Sequence, residues 1–168
     1  MEKGIRMATL SVWKFGDADG AEQAERVLKD LQSKELIRIH DAAVVFWEEG
    51  AKKPKTRQLH NLTGVGALSG SFWGLLFGIL FFAPLLGAAV GAAAGALSGS
   101  LTDVGIDDSF IKRIREKVTP GTSALFLLTS GAVTDRVSEA FAGTRMELLE
   151  TNLSREEEEA LRDTFSVD

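Results

Sequence analysis

Residues 61–102 read NLTGVGALSGSFWGLLFGILFFAPLLGAAVGAAAGALSGSLT, without one Asp, Glu, Lys, Arg or His. Within this stretch Gly66, Gly70, Gly74 and Gly78 recur every four residues, and beyond Pro84 so do Gly87, Gly91, Gly95 and Gly99. A four-residue period lines small residues along one ridge of a helix, where a second backbone can approach closely. Each ladder is therefore a packing surface. The pair predicts a helical hairpin turning at Phe82-Ala83-Pro84, because a proline inside a helix breaks its hydrogen bonding.

The two arms differ. Arm one, Leu62 to Phe82, sets its glycine ridge against bulky residues on its other faces, among them Phe72, Leu76, Ile79 and Phe82. These four are expected on an apolar outer face, turned to lipid or to an apolar core. Arm two, Leu85 to Leu101, is small nearly all round, with Ala88, Ala92 and Ala96 beside its glycines. A helix of that kind is built to be surrounded by other helices, and one chain supplies only one partner. Copies of the same hairpin are the economical source of the rest, so homo-oligomerisation is expected. At ~1.5 Å per residue the arms reach about 31 and about 25 Å, against a hydrocarbon core of ~30 Å. Glycine costs about 1 kcal/mol per residue in a helix relative to alanine, which packing in a bilayer or in a water-excluding oligomer has to offset.

Outward from the hairpin the flanks alternate strand and helix. Met7 to Phe15 places Leu10 and Val12 on one face and Thr9, Ser11 and Trp13 on the other, the period of a strand. Beyond the turn Gly16–Gly20, the residues Ala24, Val27, Leu28 and Leu31 form one apolar helical stripe. The runs AAVVFW (42–47) and SALFLLT (123–129) read as buried strands, with Lys55 to His60 as a short edge strand. Asp107 is placed to cap a helix carrying Phe110, Ile111, Ile114 and Val118, ended by Thr119-Pro120-Gly121. Ala132 to Ala142 is a second helix, Thr144 to Thr151 is compatible with a strand, and Ser154 with Glu157 forms a capping box before a last helix bearing Ala160, Leu161 and Phe165.

Two strand-helix-strand halves predict an α+β protein. The expected architecture is a ferredoxin-like βαβ-βαβ sandwich, a four-stranded sheet with helices on one face, into which the glycine-zipper hairpin is inserted. The parts are 1–60, the first half; 61–102, the hairpin; and 103–168, the second half with flanking helices. Because the halves share a sheet, the hairpin must cross a membrane an even number of times or not at all.

Composition narrows the function. The 168 residues carry a net charge of −5 with no basic stripe interleaved with aromatics, so nucleic acid is not an expected partner. With no cysteine, disulfides, thiolate metal sites and thiol catalysis are excluded. MATLSVWKF is too short and too polar for a signal core, so the first ~60 residues are expected in the cytoplasm. Lys52, Lys53, Lys55 and Arg57 precede arm one and are placed to touch anionic headgroups, or else form a basic turn in water. His40 and His60 lack a second ligand at metal-binding spacing. Asp103, Asp107 and Asp108 cluster after arm two, where capping explains the last two and a cation at an oligomer rim is the other reading. No nucleophile-elbow, zinc-protease or phosphate-loop sequence is present, so no enzyme activity, cofactor or metal is expected.

The chain resembles a family of uncharacterised bacterial proteins described as predicted membrane proteins, domain of unknown function 1269. The resemblance rests on Ala43-Val44-Val45, Leu62-Thr63-Gly64, the glycine ladders, the junction Leu101-Thr102-Asp103-Val104-Gly105-Ile106-Asp107-Asp108, the stretch Pro120 to Phe126 and the terminal Leu153 to Leu161, covering nearly all of the chain from Leu10. The junction is its most specific motif. The resemblance implies no reaction, cofactor or catalytic residue. The expected function is a non-enzymatic homo-oligomer whose hairpin enters or associates with the inner membrane, its lipid partner, with the α/β part in the cytoplasm. Two alternatives stand beside it. One is a soluble cytoplasmic ring, shell or filament whose hairpins share an apolar core. The other is a ligand-sensing ferredoxin-like domain with a hairpin anchor.

Overall fold

A computed structural model of the chain describes residues 8–34, 39–59, 70–82, 105–142, 146–154, 156, 157 and 159. The elements run β1 (Ala8–Phe15), α1 (Gly20–Ser33), β2 (Ile39–Phe46), β3 (Lys55–Gln58), α2 (Gly70–Phe77) with a π-helical continuation Gly78–Phe82, α3 (Asp108–Lys117), β4 (Ser123–Ser130), α4 (Gly131–Ala140) and β5 (Met146–Leu153). They make an α+β protein with a five-stranded antiparallel sheet in the order β3-β2-β4-β1-β5. Both β1 and β2 run antiparallel to the β4 that separates them, so α1 is a crossover between parallel strands. By the same reasoning α4 links β4 to β5 across β1.

Alternation along the strands divides the core in two. Trp13, Phe15, Val44, Leu125 and Leu127 point to the face covered by α1 and α4, where they meet Ala24, Leu28, Val137 and Phe141. Leu10, Val12, Ala43, Val45, Phe126 and Leu128 point to the opposite face, where α2, its π-helical end and α3 cover them. The expectation of helices on one face of four strands is therefore corrected. The edge strand β3 adds a fifth strand, and the described part of the charge-free segment supplies a second helical layer together with α3. The reason lies in β2 and β4, whose continuous apolar runs have no wet face and need cover on both sides.

Local chemistry fixes the joints. Asp107 accepts the N–H of Phe110 at 2.9 Å, the expected cap of α3. The Ser154 and Glu157 side chains each accept the other's backbone N–H, at 3.1 and 2.8 Å, completing the expected capping box. The buried Ser123 Oγ accepts from Ala21 N–H at 2.9 Å and donates to the Asp17 carbonyl at 2.7 Å, tying the start of β4 to the start of α1. Gly121, at φ +88°, turns the chain so that its N–H reaches the Trp47 carbonyl at 2.7 Å and prolongs the β2–β4 pairing. A register irregularity lies between Ile39 and Asp41; beside it the buried Asp41 carboxylate accepts from Ala42 N–H and the Gln58 amide.

Candidate functional site

The described part of arm one starts at Gly70, and its bulky residues fall on the sheet side. Phe72, Trp73, Leu76, Phe77, Ile79, Leu80 and Phe81 are all at most 5 % exposed. They make an aromatic row: Trp73 stacks on Phe77 at 5.7 Å and Phe77 on Phe81 at 6.1 Å, while Phe126 of β4 meets Trp73 and Phe77 edge-on at 6.4 and 5.1 Å. Trp47 closes the row against Phe81. Offset and edge-to-face rings of this kind add to what the buried area contributes. Trp73 Nε1 is buried, with no hydrogen-bond partner among the described residues.

The C-terminal end of arm one is tied down as well. The guanidinium of Arg115, on α3, donates to the carbonyls of Ile79 and Leu80. A π-helical end leaves carbonyls without intrahelical partners, and a cation from the neighbouring helix satisfies them. The described arm is therefore held against the α/β unit along its whole length. Among the described residues no helix is long and apolar enough to cross a membrane.

The glycine ridge faces the other way. Gly74 is exposed and Gly78 half-buried, and no described residue lies within 4 Å of a Cβ built on either. The bulky and glycine faces separate as their sequence spacing indicates, but the bulky face is occupied by the chain's own sheet. Phe72, Leu76 and Ile79, expected on an outer face, are thus interior residues, because the second face of the sheet is apolar and takes them. Phe82 ends the π-helical segment and Gly70 opens α2. Gly66, Pro84, Gly87, Gly91, Gly95 and Gly99 lie outside the described residues, as do His60, Asp103 and the expected final helix from Ala160.

The remaining candidates are dispersed. Lys52, Lys53 and Lys55 are exposed, and Arg57 reaches Glu25 of α1 at 3.1 Å, so the basic group extends from the turn before β3 along that strand. Asp107 and Asp108 serve the start of α3. Among the described residues no three His, Cys, Asp or Glu side chains are grouped to hold a metal ion. An open cleft of about 490 Å³ lies between α1 and α4, lined by Phe15, Asp17, Gln23, Ala24, Val27 and Phe141 among others. Val27, expected in the buried stripe of α1, is 39 % exposed there. Sequence reasoning missed this cleft. Its one signal was Gly20, where a Cβ would stand 2.4 Å from Phe15 Cβ, so the loop can close onto the strand only with glycine.

An α+β sheet protein with an uncharged insert, whose described part (70–82) lays its bulky residues on the sheet, is the class this arrangement defines. The chain belongs to the family described as protein of unknown function (DUF1269), whose profile matches residues 67–166. The match begins inside arm one, so Ala43–Val45 and Leu62–Gly64, on which the resemblance also drew, precede it. Comparison with curated proteins and with solved structures gives no match.

Proposed function

We propose that this is a non-enzymatic self-assembling protein, in which a ferredoxin-like α/β unit holds arm one on its sheet and offers the glycine ridge to helices of other copies. The strand order, with two interlocked βαβ crossovers, supports the ferredoxin-like reading, and β3 is an addition at its edge. The observation that carries the proposal is the orientation of arm one. Its bulky residues are occupied, and on the outer side no described residue covers Gly74 or Gly78. A ridge without side chains lets a helix approach closely, and the small-sided arm two is the segment with the shape to do so. Insertion in a bilayer would require arm one to leave the sheet, strip the second apolar face and release the Arg115 contacts. Assembly through the ridge requires none of this, which favours a cytoplasmic assembly over an inserted hairpin.

The test is a lysate made without detergent, cleared by ultracentrifugation, with the pellet washed at high pH. The expected result is a soluble, discrete particle several times the 18.1 kDa of one chain. The variant Gly74→Leu/Gly78→Leu is expected to shift it to smaller species while leaving the far-ultraviolet circular dichroism unchanged. Retention of the unaltered protein in washed membranes would overturn the proposal in favour of an inserted hairpin.

A further inference from the structure

The two edges of the sheet are not equivalent. The β3 edge is short and blunted: it has four residues, follows Pro54, and exposes Lys55 and Arg57, the devices that keep an edge from pairing. At the other edge β5 has eight residues, no proline, and an unbroken register with β1 from Phe15↔Met146 to Ala8↔Leu153. Among the described residues it is hydrogen-bonded on one side only, so every second residue directs its N–H and C=O outward. On the α1/α4 face α4 packs over β1 and β4, and among the described residues Met146 and Leu148 of this margin are left half-buried.

We infer that β5 is a second, independent interface, which pairs antiparallel with β5 of another copy to make a continuous ten-stranded sheet. The partner follows from self-complementarity. A two-fold axis through the sheet puts residue i opposite j and j opposite i, with both side chains on the same face. That restricts the axis to a residue of β5. An axis at Glu150 opposes two carboxylates, which is destabilising. An axis at Leu148 pairs nothing beyond Met146 with Glu150. An axis at Leu149 pairs Met146 with Asn152, Glu147 with Thr151 and Leu148 with Glu150, using the most residues without setting like charges opposite each other. Glu147 is already neutralised by Lys117 of α3 at 2.8 Å.

Because the chain has no cysteine, introduced thiols report the register directly. In Glu147→Cys/Thr151→Cys the two sites of one chain are ~13 Å apart along the strand and cannot bridge each other. Across the proposed axis they stand at disulfide distance. The experiment uses the Gly74→Leu/Gly78→Leu background, so that ridge-mediated assembly does not contribute. Mild oxidation should convert most of the chain to a dimer on a non-reducing gel, and neither single cysteine should do so. Met146→Cys/Asn152→Cys repeats the test on the opposite face should the first pair fail to fold. A folded double variant that stays monomeric, or single variants that dimerise as fully as the double, would overturn the inference.

Discussion

The sheet is covered on both faces, by different means. On one face α1 and α4 are the crossovers that connect the strands beneath them. They carry charges outward, as Arg26 and Lys29 do on α1, and they close around Trp13, Phe15 and Phe141, with Phe141 edge-on to both at 5.4 and 5.9 Å. On the other face the cover comes from α3 and from the described part, 70–82, of an insert with no charged residue between 61 and 102, seated by an aromatic row and by Arg115. A crossover helix meets water on its far side and has to be amphipathic. A helix that meets a sheet on one side and another helix on the other can be uncharged all round. In the described part of the insert the apolar residues lie against a sheet, so an absence of charge is not specific to lipid.

The strongest way to break this comparison is to remove one large ring from each face. Phe77 and Phe141 are 4 and 2 % exposed. If both layers belong to the folded unit, Phe77→Ala and Phe141→Ala each cost about 3 to 5 kcal/mol, read as matched losses in urea midpoint. If arm one instead resides in a membrane, Phe77→Ala leaves the stability of the α/β unit unchanged, and only Phe141→Ala lowers it.

A smaller effect, with a change of sign, sharpens the contrast between the covered and the open side. An added methyl at Gly20 meets Phe15 at 2.4 Å, so Gly20→Ala is expected to destabilise by about 1 to 3 kcal/mol through overpacking. At Gly74 the same methyl meets no described residue. Gly74→Ala then keeps only the gain in helix propensity, up to about 1 kcal/mol of added stability in the dissociated chain. Thermal unfolding of both variants in the Gly78→Leu background reads the two signs separately from assembly. A loss of stability at Gly74 would mean that its ridge is already packed.

Much of this was legible in the sequence, and the failures have physical causes. The runs AAVVFW and SALFLLT gave β2 and β4, the stripe Phe110-Ile111-Ile114 gave α3, and Asp107 and the Ser154–Glu157 pair gave two caps, because capping and periodicity are local. The placement of arm one was not local. Its bulky and glycine faces can be read from spacing, but lipid and an apolar sheet accept Phe72, Leu76 and Ile79 equally well. The deciding signal was elsewhere, in Leu10, Val12 and Phe126, whose alternation already put them on the face that α1 and α4 could not cover. The cleft beside Val27 was hidden for a similar reason: whether that position of the stripe is covered depends on where α4 ends.

The smallest expected effect concerns how each cover is pinned at its margin. Arg57 and Glu25 join β3 to α1 on one face, and Lys117 and Glu147 join α3 to β5 on the other. In the second pair the hydrogen bond from Lys117 holds the Glu147 carboxyl below its ordinary 4.5, and the same bond holds the Lys117 ammonium above its ordinary 10.5. A lowered carboxylate contributes stability above the unfolded value, which is lost as pH falls through the folded one. A raised ammonium contributes below its unfolded value and is lost as pH climbs through the folded one. The contribution of the pair is therefore full between about pH 4.5 and 10.5 and fades outside that window. Both side chains are 44 % exposed, so water and salt screen most of it. Glu147→Gln should lower the thermal midpoint slightly at pH 7 in low salt, and the difference from the unaltered protein should vanish at pH 2 and in 1 M salt. A difference that persists in salt would mean that the margin of β5 is shielded from water, as it would be where two copies meet along that strand.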